Sequence, residues 1–122
     1  IFYLGGPGMG QALKLINNYM MIVTAFGTSE AIALGVKAGL DLRSMLEIIG
    51  KSSGNSAVVQ NWDRLAAAKK ENEKQETGDN TIFRKDMKLA VDFFEELGLK
   101  SDLGNLILKM DDSRLFPTQP SA

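Results

Sequence analysis

The chain has 122 residues, 44% of them apolar and 24% charged, with a net charge of −1, the balance of one globular domain able to bury its own core. That charge argues against a nucleic-acid binder, because neutralising phosphates needs a surplus of Lys and Arg on one face. Cysteine and histidine are both absent, which removes disulfides, thiol catalysis, thiolate or imidazole metal sites and the serine triad. No metal site is expected, and any proton transfer falls to Lys, Asp, Glu or Tyr.

In chain order, Ile1-Phe2-Tyr3-Leu4 reads as a strand-like piece running into the turn Gly5-Gly6-Pro7-Gly8. No charged n-region precedes it, so it is not a secretory signal; the start reads as a cut in a longer protein. A dinucleotide fingerprint would sit at this turn. Glycines at 6 and 8 would require a third at 11, where Gln11 stands, and no strand ending in an acid follows.

One long helix is expected from Met9 to Ala38. It carries no charge between Lys14 and Glu30 and is apolar on nearly every face, so it is expected to be buried by other protein. Its uncharged window, Leu15 to Ser29, reads as too short and too polar to span a bilayer, and no membrane partner is expected. Gly27, Ala31, Gly35 and Gly39 recur every four residues. That row either admits a second helix closely or makes room for bulky neighbours within the domain. Gly39 also suits the left-handed position that ends a helix.

Asp41 can cap a second helix burying Leu42, Met45, Leu46 and Ile49. After a turn at Gly50–Ser56, a third helix carries Val58, Val59, Trp62, Leu65 and Ala66. It runs out into the mixed-charge stretch Lys69–Glu76, expected to be a solvated helix end, and Thr77–Thr81 breaks it. A fourth helix from Ile82 buries Met87, Ala90, Val91, Phe94 and Leu97 and closes at Gly98. A fifth starts at Ser101 or Asp102, with Leu103, Leu106, Ile107 and Met110 inward. Pro117 and Pro120 then make residues 115–122 an expected flexible, unstructured tail. The fold class is all-α: a multi-helical domain over residues 9–114, built on one long buried helix, with a strand remnant and turn in residues 1–8.

Gln11, Lys14, Asn17 and Asn18 are the least expected residues on the long helix. Their spacing brings them together on its first two turns, directly against the apolar run Tyr19-Met20-Met21-Ile22-Val23. A solvated helix start is the plain explanation. A site is the sharper one: the positive end of the helix dipole and partial burial both disfavour a charged amine at Lys14, as a general base requires. Asn18, one turn on, can both donate and accept hydrogen bonds to a carboxylate or hydroxyl.

These residues carry a resemblance. Gly8-Met9-Gly10, Lys14 and Asn17-Asn18 resemble the G-x-G-x-x-x-K-x-x-N-N segment of the β-hydroxyacid dehydrogenases, a family that includes 3-hydroxyisobutyrate dehydrogenase, tartronate semialdehyde reductase and, more distantly, 6-phosphogluconate dehydrogenase. Glu30-Ala31, Ala38-Gly39-Leu40-Asp41, Ser53-Gly54-Asn55-Ser56 and Lys85-Asp86-Met87 follow in the family's order, so the likeness covers about residues 1 to 110. The resemblance implies an all-helical C-terminal domain whose partner Rossmann domain binds NAD or NADP, with Ile1–Leu4 matching that domain's last strand. It implies Lys14 as catalytic acid/base, Asn18 and secondarily Asn17 as substrate-binding, and Lys85 with Asp86 beside the cofactor. It further implies a small hydroxyacid substrate and a homo-oligomer, and the absence of cysteine and of a secretory signal is compatible with the cytoplasm. An N-terminal half missing from these residues would leave the domain inactive alone. Two departures stand out: Gly78–Thr81 replaces a usual phenylalanine, and Ser101 or Asp102 stands where proline is common. The rival reading is a non-catalytic helical dimerisation or scaffold module.

Overall fold

The computed structural model describes residues 8–75 and 82–120. Six α-helices, α1 (Met9–Lys37), α2 (Leu42–Ile49), α3 (Ala57–Gln60), α4 (Trp62–Gln75), α5 (Ile82–Glu96) and α6 (Asp102–Leu108), precede a 3-10 turn at Asp112–Arg114. Among the described residues there is no strand, and the all-α expectation holds. The strand remnant expected at Ile1–Leu4 and the break at Thr77–Thr81 lie outside the described residues.

Helices α2, α3, α5 and α6 and the 3-10 turn pack on α1, and α4 joins through α3. Gly8, at φ +91°, starts α1, and Gly39, at φ +99°, follows its end; both angles fall where a Cβ would clash. The 29 residues of α1 make a rod about 44 Å long at 1.5 Å per residue. Ile22, Ala25, Phe26, Ser29, Ile32 and Gly35 are its buried positions. Their three- and four-residue spacing makes one inward stripe. By length and composition α1 is long and apolar enough to cross a membrane, contrary to the expectation from its shorter uncharged window. The buried stripe gives those residues another use, since it is the floor of the domain core.

Helices α5 and α6 cover that stripe. Tyr19 of α1 lies beside Phe94 of α5, ring centroids 5.2 Å apart, whereas Ser29 is bonded to Phe116, whose ring lies 6.4 Å from Phe83. Rising along α1 therefore means descending along α5, so the two run antiparallel. Met87, Ala90 and Val91 are buried as expected, but Leu97, Leu103 and Leu106 are exposed. They sit at the ends and outer side of α5 and α6, where no further helix among the described residues covers them.

Ser101 caps α6 by accepting from the Gly104 amide at 2.9 Å, and its hydroxyl also meets the Tyr19 hydroxyl at 3.1 Å. A Cβ on Gly104 would come within 2.7 Å of the Val91 side chain and 2.8 Å of Ser101 Oγ. Valine is stiff and the serine is committed, so neither can yield. Gly104→Ala is expected to destabilise the chain by about 1–3 kcal/mol, read as a lower midpoint in urea.

The expected third helix is two helices. Asn61 takes φ −114° and ψ 24° and its amide group donates to the Ala57 carbonyl at 2.8 Å, closing α3 before α4 starts. That competition between an asparagine side chain and the helical ladder is local. Helix α2 follows the sequence: Asp41 caps it by accepting from the Ser44 amide at 3.0 Å, and Leu42, Met45 and Leu46 are buried. Within the small-residue row, Gly35 is buried and faces the Met45 thioether, while Gly27 and Ala31 are exposed. At Gly35 the row makes room for a bulky neighbour within the domain.

The expected tail is the largest correction. Residues 110–119 form a strap across the bundle rather than an unstructured end. Leu115 and Phe116 are 1% and 5% exposed. The Phe116 amide donates to the buried Ser29 hydroxyl at 3.0 Å, and its ring meets Trp62 edge-on at 5.0 Å. Lys69, expected to be solvated, donates to the Leu115 carbonyl at 2.8 Å. The Arg84 guanidinium holds the carbonyls of Leu108 and Met110 and lies 3.3 Å from Asp112. Gln119 accepts from the Leu42 amide at the start of α2. At the strap's turn, the Ser113 backbone amide and then its hydroxyl hold the Asp111 carboxyl below its ordinary range. Two apolar residues in a polar stretch were enough to seat it, because the cleft between α1, α4 and α5 offers them a dry site.

Candidate active site

Gln11, Lys14 and Asn18 stand at i, i+3 and i+7, and the next steps of the same stripe are Ile22, Ala25, Ser29 and Ile32. The polar group therefore lies on the face of α1 that becomes the core two turns later. On the opposite side, Met9, Leu13, Ile16 and Met20 are all exposed. The half-buried positions at the start of α1 are Ala12, Leu15, Asn18 and Tyr19, so Asn18 is the polar residue that turns inward, while Gln11 and Lys14 stand exposed at the edge of that face.

The bundle ends just below this group. Helix α5 stops at Glu96, two residues beyond Phe94, and α6 begins at Asp102, just after its cap Ser101, the residue bonded to Tyr19. The first turns of α1 project past that rim, so Lys14 is exposed and Asn18 half-buried. The partial burial of Lys14 expected from sequence is not supplied by this chain. Asn17, exposed and about 60° around the helix from Lys14 at 100° per residue, points away from the inward face; Asn18, one turn on, shares that face with Lys14.

Lys85 and Asp86 are elsewhere. Because α5 runs antiparallel, Lys85 lies nine residues back from Phe94, level with the second half of α1 near Ser29 and beside Leu108. At 1.5 Å per residue the levels of Lys14 and Lys85 differ by about 21 Å. The chain does not bring the two lysines together. Lys85 is exposed and Asp86 half-buried. Lys85 joins Arg84, Lys88, Leu89 and Leu108 in a cleft of about 710 Å³. Another, of about 740 Å³, lies far from Lys14 over Trp62, where Arg43 grips Asp63 through two bonds of 3.0 and 2.6 Å. Among the described residues no cluster of acids could hold a metal ion.

A family model described as the NAD-binding domain of NADP-dependent 3-hydroxyisobutyrate dehydrogenase matches residues 8–113. The chain belongs to this family. Within it, a probable mitochondrial 3-hydroxyisobutyrate dehydrogenase of Arabidopsis thaliana is 34% identical over 105 residues, covering 83% of this chain and 30% of that protein. A 2-(hydroxymethyl)glutarate dehydrogenase of Eubacterium barkeri is 43% identical over 60 residues, 49% of this chain and 20% of its own length. An NAD-dependent L-serine dehydrogenase of Pseudomonas aeruginosa is 42% identical over 60 residues, with the same coverage. The chain thus spans between a fifth and a third of these dehydrogenases.

Two features of this family member escaped the sequence reading. Tyr19, adjacent to Asn18, ties α1 to the α6 cap through Ser101, and Arg84, adjacent to Lys85, anchors the strap. Each stands next to a motif residue, and nothing in its own spacing distinguishes it. The departure at Ser101 does more than start a helix, since only a hydroxyl there can meet Tyr19.

Proposed function

We propose that these residues are the catalytic-lysine domain of a larger NAD(P)-dependent oxidoreductase acting on a small 3-hydroxy acid. The observation that carries the reading is the pairing of exposed Lys14 with half-buried Asn18 one turn apart on α1, past the rim of the bundle, in a chain of this family. A free ledge at the end of a bundle suits a site completed by a second domain.

The residues fit the group only in part. Gly8 and Gly10 leave open space around α1's first turn, and Lys85 with Lys88 offers positive charge to a phosphate. A small hydroxyacid cannot touch both Lys14 and Lys85, whereas an extended dinucleotide can approach both. When bound, the oxidised nicotinamide accepts a hydride from the carbinol carbon. Asn18 orients the substrate through its carboxylate or hydroxyl. The Lys14 amine takes the hydroxyl proton as the carbonyl forms and returns it when the semialdehyde is reduced. The homo-oligomer belongs to the same proposal. The rival scaffold reading draws on the exposed apolar side of α1 but leaves the Lys14–Asn18 pair without a use.

The 122-residue chain alone is expected to reduce no NAD or NADP with 3-hydroxyisobutyrate, while the full-length parent does so in the same assay. Turnover by the isolated chain would overturn the division of labour between domains. Inactivity of the parent would overturn the dehydrogenase reading.

A further inference from the structure

The first turns of α1 overhang the bundle, and few side chains hold the overhang in place. The buried stripe begins at Ile22; residues 9–18 are all exposed or half-buried. Leu15 and Ile16 reach only a small apolar pocket shared with Ala90, Phe93 and Phe94. Among the described residues, the Tyr19 hydroxyl makes the one side-chain hydrogen bond that joins residues 8–21 to another helix.

The far end of that bond is firmly fixed. Ser101 is 4% exposed, and its hydroxyl also accepts from the Gly104 amide at 2.9 Å. Its carbonyl accepts from the Asn105 side chain at 2.9 Å. The Tyr19 ring leans on Phe94, centroids 5.2 Å apart, and its hydroxyl meets Ser101 Oγ at 3.1 Å. Tyrosine is rigid apart from two torsions, so the bond acts as a key that sets the rotation of α1 about its own axis at the rim. Asn18 is the very next residue. A side-chain tip about 6 Å from a helix axis moves by about 1 Å when the helix turns by about 10°. A polar group that holds a substrate has to be placed to within about 0.5 Å.

We propose that Tyr19 and Ser101 are positioning residues: their hydrogen bond fixes the rotation of α1 at the rim and so aims the Asn18 amide at the substrate. The inference rests on the reading of Asn18 given above. Lys14 stands about 7.5 Å further along the overhang, and its flexible four-carbon stem absorbs a small rotation. The short Asn18 side chain has no such reach. The bond therefore bears on substrate binding more than on proton transfer.

Tyr19→Phe in the full-length parent keeps the ring on Phe94 and removes only the hydroxyl. It is expected to raise KM for 3-hydroxyisobutyrate by about 3–10-fold, the worth of one hydrogen bond, with kcat nearly unchanged. In an Asn18→Ala background the same substitution should leave KM where Asn18→Ala put it, because no amide remains to be aimed. A general loosening of the fold would act in both backgrounds. An unchanged KM in Tyr19→Phe, or an equal rise in both backgrounds, would overturn the positioning role while the active wild type upheld the dehydrogenase reading. A parent inactive toward small 3-hydroxy acids would overturn both.

Discussion

Replacing Lys14 with alanine in the full-length parent is expected to lower turnover by about 10²–10⁴-fold, the usual contribution of a positioned acid or base. The residual rate should lose the ionisation that Lys14 contributes to the pH–rate profile. The substitution should leave folding intact, because Lys14 is exposed beyond the rim of the bundle and alanine is the better helix former. An unchanged urea midpoint in the 122-residue chain therefore separates lost chemistry from lost structure. Asn18→Ala should instead weaken substrate binding, raising KM more than it lowers kcat if asparagine holds the substrate equally in ground and transition states. If Lys14→Ala kept most of its kcat, the acid/base assignment would be wrong even though the family stands.

The largest expected effect on stability lies at the other end of the chain. Phe116→Ala is expected to cost about 3–5 kcal/mol, as for a buried aromatic cut to a methyl. The ring is 5% exposed and packs between Trp62 and Phe83. Alanine gains nothing in return, since φ at Phe116 is +53° and its own Cβ meets the same left-handed strain. Against a total of roughly 5–15 kcal/mol for a domain, that lowers Tm by on the order of 10–20 °C, measured by circular dichroism. A shift of a degree or two would mean that the strap does not support the core.

Most of the helical layout could be read from the sequence because its signals are local. Asp41 and Ser101 mark starts, Gly39 and Gly98 mark ends, and the apolar spacing of α2 and α5 picks out their buried faces. The strap could not be read that way. Leu115 and Phe116 carry no periodicity, and what seats them is a cleft between helices distant in sequence, with Ser29, Lys69 and Arg84 contributing polar contacts. Leu103 and Leu106 failed for the opposite reason. Helical spacing says which residues share a face, not whether this chain supplies anything to cover it. For the candidate site, the grouping of Lys14 with Asn18 was legible from spacing alone. The exposure of Lys14 and its distance from Lys85 were not, because both depend on where α5 ends and on its antiparallel run.

The most direct test of the central claim is reduction of NAD or NADP by the full-length parent with 3-hydroxyisobutyrate, run beside its Lys14→Ala variant. The account predicts steady formation of the reduced cofactor by the wild type and near loss of it in the variant. No reduction with this or any other small 3-hydroxy acid, or equal rates in the two proteins, would contradict it.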